Sequence, residues 1–172
     1  MPLVLFTDDR DADWARAAHA LPRGSVVVIR ARHQKDRFRL FEQLRAVPHL
    51  RLLVAGDPVL AARADGLHLP EARLREAPRW RARHPGWIIT ASAHSLGALL
   101  TAREVDVVFL SPVFATASHP RASALTPVRA TFIAAAARIP VYALGGVDAR
   151  NAALLAPSFS GIAAIASLLC GR

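Results

Sequence analysis

Short runs of apolar, often β-branched residues alternate along the chain with longer segments rich in Ala, Leu and Arg. The runs are four to six residues long and apolar on both faces, as is typical of buried strands in a parallel sheet. We therefore predict eight strands. They cover residues 3–6, 25–29, 50–54, 66–69, 87–90, 105–110, 141–144 and 161–165.

Helices are predicted between these strands, from apolar positions spaced three or four residues apart and from residues that favour helix starts. Ser95, Thr126 and Asp148 stand at predicted N-caps, and Pro127 takes a first helical position. Pro78 interrupts the fourth segment, so that helix should be broken or begin late. The segments are 11–20, 35–46, 58–64, 72–83, 95–103, 127–138, 148–155 and 166–170.

Eight strand–helix repeats without internal linkers predict one α/β domain over residues 1–172, a (β/α)8 TIM barrel. Such barrels usually have about 250 residues and rarely fewer than about 200, so this one would be unusually compact. Its third and eighth helices should be only one or two turns long. An open doubly wound sheet is the alternative, but such sheets more often have five or six strands.

The amino-acid composition indicates a globular protein and argues against a membrane-spanning one. The chain is 53% apolar, as expected of a globular domain, yet no apolar run approaches the roughly 20 residues that span a bilayer. The first residues lack the basic segment of a signal peptide. Cys170 is the single cysteine, which excludes an internal disulfide. We expect a cytoplasmic protein without a membrane partner.

The formal net charge of +9 comes almost entirely from arginine, since Lys35 is the only lysine. Such a charge can attract nucleic acid, an anionic membrane or phosphorylated small molecules. The arginines are scattered, and aromatic residues make up only 6% of the chain and do not alternate with them as a base-stacking surface requires. A bias of arginine over lysine explains the charge more simply, so nucleic acid is the least favoured partner.

In a TIM barrel the functional residues lie at the C-terminal ends of the strands, in the loops that lead to the helices. This rule selects polar and small residues that follow the predicted strands. They are Arg30, Arg32, Gly56, Asp57, His68, Ser92, His94, the segment 111–119, Gly145, Gly146, Ala166 and Ser167.

Gly145 and Gly146 end the seventh predicted strand and lead into a predicted helix. Adjacent glycines allow a tight turn whose N–H groups face an anion at the helix N-terminus. Ala166 and Ser167, after the eighth strand, can add N–H groups and a hydroxyl, and loops seven and eight are the recurring phosphate site of this fold. We predict phosphate binding here; the alternative is a tight turn without a ligand.

The segment after the sixth strand is long and continues to Leu125 without obvious regular structure. Long loops at this end of a barrel tend to bind or cover ligands. Thr116 and Ser118 offer hydroxyls, and His119 could donate to a phosphate or transfer a proton. A surface histidine without a role is the alternative for His119.

Three stretches resemble the thiamine-phosphate synthase / TenI family: Ala-Asp-Gly-Leu-His-Leu at 64–69, Ser-Pro-Val-Phe-Ala-Thr at 111–116 and Pro-Val-Tyr-Ala-Leu-Gly-Gly-Val at 140–147. They stand in the family's order and spacing, and the resemblance covers most of the chain from about Val26. It implies a small TIM barrel of thiamine biosynthesis that joins a hydroxymethylpyrimidine pyrophosphate to a thiazole phosphate, with Mg²⁺ holding the pyrophosphate. The TenI branch includes a thiazole tautomerase.

The resemblance also implies roles for individual residues. On the pyrophosphate side Arg30 and Arg32 would supply positive charge and Asp57 would be a Mg²⁺ ligand. Ser92 matches an active-site serine, and His119 stands where the family has a lysine. The thiazole phosphate would be bound by Thr116, Ser118, Gly145, Gly146, Ala166 and Ser167.

The pyrophosphate side departs from the family pattern. Residues 28–32 lack the family's glutamine, Arg32 takes the place of the family's lysine, and Gly56-Asp57 replaces Asn-Asp. Arg73 stands where an acidic residue is expected, although Glu71 is close by. Because Mg²⁺ usually takes one or two carboxylates besides substrate phosphates, these changes weaken the predicted metal site.

The sequence is therefore compatible with three functions. The first is a synthase-like transferase. The second is a TenI-like tautomerase or a non-catalytic binder of phosphorylated thiazole or thiamine phosphate, although Pro112 takes the place of that branch's histidine and His119 would have to substitute for it. The third is a nucleic-acid binder. The sequence also leaves open whether the barrel forms a homodimer.

Overall fold

The computed structural model describes residues 3–9, 13–115, 123–148, 150–155 and 157–164. Within them, parallel strands close into a barrel in chain order, and the last strand pairs with the first. The predicted TIM barrel is confirmed. The strands are β1 Val4–Phe6, β2 Val26–Ile29, β3 Arg51–Ala55, β4 Gly66–Leu69, β5 Ile88–Ala93, β6 Val107–Leu110, β7 Val141–Ala143 and β8 Gly161–Ala164.

Short helices cover the outside of the barrel. As predicted, the third is a single turn, and Pro78 lies in the first turn of the fourth, which follows a 3-10 helix over Glu71–Glu76. The helices are α1 Trp14–His19, α2 Gln34–Leu44, α3 Pro58–Ala61, α4 Ala77–Arg83, α5 Leu96–Thr101 and α6 Pro127–Ala135. The predicted eighth helix, 166–170, lies outside the described residues.

One predicted helix start is wrong, and at a second, α6, the helix begins at Pro127 as predicted but its N-cap residue lacks the capping hydrogen bond. Asp148 does not begin an α-helix: its carboxylate accepts from the N–H groups of Arg150 and Asn151 in a turn, and a 3-10 helix over Ala152–Leu155 follows. Thr126 has a φ of 66° and its side chain makes no capping hydrogen bond. The start of α6 is better explained by Pro127, whose fixed φ suits a first helical turn.

Successive side chains of each strand point to opposite faces, and this alternation divides the core into two layers. On β1, Val4 and Phe6 belong to a cluster inside the barrel, whereas Leu5 belongs to the larger cluster between strands and helices. Phe6 and Phe109 meet edge to face inside, with ring centroids 4.9 Å apart. The interior is therefore filled by large side chains, and its aromatic rings lie beneath the ends of the strands.

A repeated aspartate contact fixes neighbouring strands at the opposite, N-terminal end. Asp65, just before β4, makes two hydrogen bonds with the backbone of Leu52 on β3: its carboxylate accepts the Leu52 N–H at 2.8 Å, and its own N–H donates to the Leu52 carbonyl at 2.9 Å. Asp106, just before β6, makes the same two contacts with Ile89 of β5, both at 2.7 Å. Each carboxylate also pairs with an arginine, Arg51 or Arg81.

In the part of the chain that the structure describes, no helix has the length and apolar character needed to cross a membrane. The longest, α2, has 11 residues, whereas about 20 are needed.

Candidate active site

A cavity of about 560 Å³ opens at the C-terminal ends of the strands. Its wall is built by residues at or just after β1 to β7, so it occupies the end of the barrel where this fold places its functional residues. Of the predicted site residues, Arg30, Ser92 and Gly145 line the cavity together. Arg32, Asp57 and Gly146 are not among the lining residues. Thr116, Ser118, His119, Ala166 and Ser167 lie outside the described residues.

His68 forms the buried part of the cavity wall. Its Nδ1 atom lies 2.9 Å from the Thr90 hydroxyl and its Nε2 atom 3.0 Å from the Ser92 hydroxyl. The rings of Phe6 and Phe109 pack against it, with centroids 5.2 and 5.7 Å away. Burial, reinforced by the positive charge of Arg30, lowers the pKa of His68 to about 3. The imidazole is therefore neutral at physiological pH.

The loop after β5 is held by two contacts of His94. Its backbone N–H donates to the carboxylate of Glu71, and its Nδ1 atom lies 2.7 Å from the carbonyl oxygen of Ser111. A carbonyl only accepts, so Nδ1 carries a proton. Glu71, His94 and Ser111 all line the cavity, so these contacts tie the loops after β4, β5 and β6 into one rim.

Gly145 and Gly146 make the predicted tight turn, with φ values of +90° and +66°. The turn packs against the loop after β6: the N–H groups of Val113 and Phe114 donate to the carbonyls of Leu144 and Gly145, each at 3.0 Å. A Cβ on Gly146 would lie 2.5 Å from the Ala115 carbonyl oxygen.

Among the described residues that follow this turn, the expected α-helix is absent. No helix N-terminus follows Gly146 directly, so a helix dipole does not support the predicted phosphate site. Instead the Asn151 side-chain amide donates to the Gly146 carbonyl at 2.8 Å and holds the loop. The close approach of two loops, rather than a helix start, accounts for the glycine pair.

The two arginines after β2 have different surroundings. Arg30 lines the cavity, and its backbone N–H donates to the Thr7 hydroxyl at 2.9 Å, which fixes the end of β2 against β1. Arg32 has a side chain that is 87% exposed and faces Asp9, with Nε 3.3 Å from a carboxylate oxygen. Of these two arginines, Arg30 alone is among the residues that line the cavity.

The carboxylate of Asp57 already makes contacts within the protein. One carboxylate oxygen accepts the Leu60 N–H at 3.1 Å and so caps α3, and the other lies 3.7 Å from Nε of the largely buried Arg37. In the same loop, Arg73 donates to the Gly56 carbonyl at 2.7 Å and makes a bidentate pair with Glu76 at 2.6 and 2.7 Å. Two arginines therefore hold the loop after β3.

Sequence reasoning selected His68 by its position and matched Ser92 to an active-site serine, but it did not connect the two or single out Thr90. The signal was present: Thr90 and Ser92 stand two residues apart on a strand, which places both side chains on one face, and Thr90 is the register partner of His68. The Glu71–His94 contact had no comparable signal, since it joins two loops that only the closed barrel brings together.

Comparison with known proteins shows the family to which the chain belongs. The family model described as thiamine monophosphate synthase matches residues 3–168. The chain is 32% identical to the thiamine-phosphate synthase of Chlorobium luteolum, over 96% of this chain and 84% of that protein. It is 37% identical to that of Methanoculleus marisnigri, over 66% of this chain and 56% of that protein.

Among solved structures, the thiamine phosphate pyrophosphorylase of Pyrococcus furiosus superposes with a TM-score of 0.75. The match covers 96% of this chain and 85% of that one, at 24% sequence identity, and it supports the barrel fold. The sequence matches establish the family. This chain belongs to the thiamine monophosphate synthase family, the group that also includes TenI.

Proposed function

We propose that the chain is a thiamine-phosphate synthase-like transferase, which joins a hydroxymethylpyrimidine pyrophosphate to a thiazole phosphate and releases pyrophosphate. The observation that carries the proposal is a cavity at the C-terminal end of the barrel that has Arg30, Ser92 and Gly145 together in its wall. These residues match family positions on both the pyrophosphate side and the thiazole side. Family membership and named relatives at 32–37% identity support it.

Each residue has a chemical task in this proposal. Arg30 supplies a fixed positive charge, which stabilises the negative charge that develops on the departing pyrophosphate. Ser92 supplies a hydrogen bond to the substrate at the cavity wall. The turn at Gly145 and Gly146, together with Thr116, Ser118, Ala166 and Ser167, holds the thiazole phosphate, and His119 takes the place of the family's lysine.

The family resemblance also implies Mg²⁺, but the described residues do not fit a metal site prepared in advance. Asp57 already caps α3 and faces Arg37, and Arg73 stands beside Gly56. Within the described ranges no three acidic, histidine or cysteine side chains converge as metal ligands. We therefore derive no step through a metal, and Mg²⁺ dependence is measured rather than assumed.

The engagement of Asp57 gives a specific reason to keep a second candidate, a TenI-like protein that binds phosphorylated thiazole or thiamine phosphate. Such a protein needs the thiazole side of the cavity and not the pyrophosphate side. It predicts binding of thiazole phosphate without turnover.

The test is formation of thiamine phosphate by purified protein from both substrates, with Mg²⁺ and with a chelator. The matched pair of variants is Arg30→Gln and Arg32→Gln, which remove the same charge inside and outside the cavity wall. The synthase predicts turnover that falls by about 10-fold or more in Arg30→Gln and by less than about 2-fold in Arg32→Gln. If no thiamine phosphate forms while calorimetry still detects binding of thiazole phosphate, the result supports the TenI-like binding protein instead. Equal losses in both variants would show that Arg30 has no special role.

A further inference from the structure

His68 is the most enclosed polar side chain of the cavity and has no part in the proposed function so far. Its two ring nitrogens contact two hydroxyls of one strand, Thr90 and Ser92 on β5, at 2.9 and 3.0 Å. Thr90 is 2% exposed, whereas Ser92 is half-buried and lines the cavity. The three side chains therefore form a line that runs from the barrel interior to the cavity surface.

The direction of the hydrogen bonds along this line follows from the buried end. Among the described residues, His68 Nδ1 is the one hydrogen-bond partner of the Thr90 hydroxyl. A buried hydroxyl hydrogen without an acceptor is costly, so Thr90 must donate to Nδ1. A neutral imidazole that accepts at Nδ1 carries its proton on Nε2, and this proton is donated to the Ser92 oxygen. The Ser92 hydrogen then has no acceptor in this line and is available to the cavity.

The surroundings of the ring keep it neutral. Phe6 of β1 and Phe109 of β6 present aromatic rings to it, and β5 presents the two hydroxyls. Arg30, at the end of β2, is the charged group that acts on the ring, and its charge opposes protonation. A protonated ring would donate from both nitrogens and would turn the Thr90 hydroxyl away from Nδ1.

We propose that His68 is a positioning residue: held by Thr90, it orients the Ser92 hydroxyl as a hydrogen-bond donor into the cavity. A donor fixed in this way recognises a lone pair on the ligand, such as a ring nitrogen of an aminopyrimidine or an oxygen of its pyrophosphate. The orientation is set before the ligand arrives, which lowers the entropic cost of binding. The proposal deepens the role of Ser92 and, for its kinetic part, rests on the proposed function.

The first test needs no activity. Nitrogen-15 NMR of the full-length protein labelled at histidine reports which ring nitrogen carries the proton. We expect His68 in the neutral form with the proton on Nε2, unchanged between about pH 5 and pH 8. A proton on Nδ1, or protonation of the ring within this range, would overturn the proposal.

The second test separates positioning from a merely structural role by a double-mutant cycle. Thr90→Val keeps the shape of the side chain and removes the donor, and Thr90→Ser restores it. We expect Thr90→Val to lower kcat/KM by about 2- to 10-fold, the equivalent of one hydrogen bond, and Thr90→Ser to recover most of it. In the Ser92→Ala background Thr90→Val should have no further effect. Additive losses, or a Ser92→Ala variant equal to wild type, would overturn the proposal.

If the protein shows no synthase turnover, the cycle is measured on the dissociation constant of hydroxymethylpyrimidine pyrophosphate. The proposed function would then have failed while the NMR result and the coupling in binding still decide the role of His68. Non-additive losses in that dissociation constant support positioning. Additive losses, or no binding, overturn the recognition that we propose.

Discussion

Pro112 occupies the space into which a side chain on Gly145 would extend: a Cβ on Gly145 would lie 2.8 Å from the Pro112 Cα. Gly145 also has a φ of +90°, in a region that side chains rarely adopt. Gly145→Ala should therefore lower the free energy of unfolding by about 2–5 kcal/mol, the sum of backbone strain and overpacking. Chemical denaturation measures this loss.

Gly24 offers a matched control, because its φ is +80° and a Cβ there would meet nothing within 4 Å. Gly24→Ala should cost only the backbone part, about 1–2 kcal/mol. If the two variants lost equal stability, the contact with Pro112 would carry no energetic weight.

Asp57→Ala should destabilise the protein more than Asp13→Ala, although both aspartates cap a helix. Asp57 alone of the two also faces the buried Nε of Arg37, which has no hydrogen-bond partner within the described residues. We expect losses of about 2–4 kcal/mol for Asp57→Ala and about 1 kcal/mol for Asp13→Ala in urea denaturation. The reverse order would contradict the assignment of Asp57 to the support of the loop after β3.

Glu76 should contribute to stability at neutral pH and less in acid. Hydrogen bonds from Arg73, together with one from Trp80, lower the pKa of Glu76 from 4.5 to about 2. The unfolded chain takes up this proton first, so the contribution is complete above about pH 4.5 and is lost as the pH falls toward 2. Thermal unfolding should show a smaller decrease over this window in Glu76→Gln than in wild type. Parallel curves would contradict the prediction.

His68 should make the fold sensitive to acid in a higher window. Its pKa is 6.5 in the unfolded chain and about 3 in the barrel, so below pH 6.5 the unfolded state binds a proton that the folded state does not. Stability therefore falls as the pH decreases from 6.5 to 3, by at most about 1.4 kcal/mol per pH unit. His68→Asn should flatten this slope in denaturant titrations at a series of pH values. A slope as steep as that of wild type would exclude His68 as its source.

The strands could be predicted from the sequence because each is a short apolar run, and burial on both faces leaves a strong signal. The observed strand ends differ from the predicted ones by up to three residues. For example, β5 extends to Ala93, beyond the predicted end at Thr90, because Ala91, Ser92 and Ala93 pair with β6. Small and polar residues such as these carry weak strand propensity, so the pairing partner decides.

The sequence predicted where the barrel has its candidate site, at the C-terminal ends of the strands, but only some of the contacts that the side chains make there. The ends of the strands gave Arg30, Ser92 and Gly145, which the barrel brings to one cavity. The environment of Asp57 could not be read from the sequence, since Arg37 reaches it from a different strand–helix unit. The α-helix predicted after Gly146 is not seen in the described residues, where the Asp148 carboxylate instead accepts hydrogen bonds from the N–H groups of Arg150 and Asn151 and forms a turn.

The paired aspartate contacts before β4 and β6 bear on how such a small barrel could be engineered. They align β3 with β4 and β5 with β6 from the end opposite the cavity, without any residue that lines it. The side chains that make these strand contacts are thus distinct from those that line the cavity. Loops at the cavity end can therefore be exchanged for those of another barrel without removing the contacts of Asp65 with β3 and of Asp106 with β5, a design that uses this compact barrel as a scaffold for a grafted binding site.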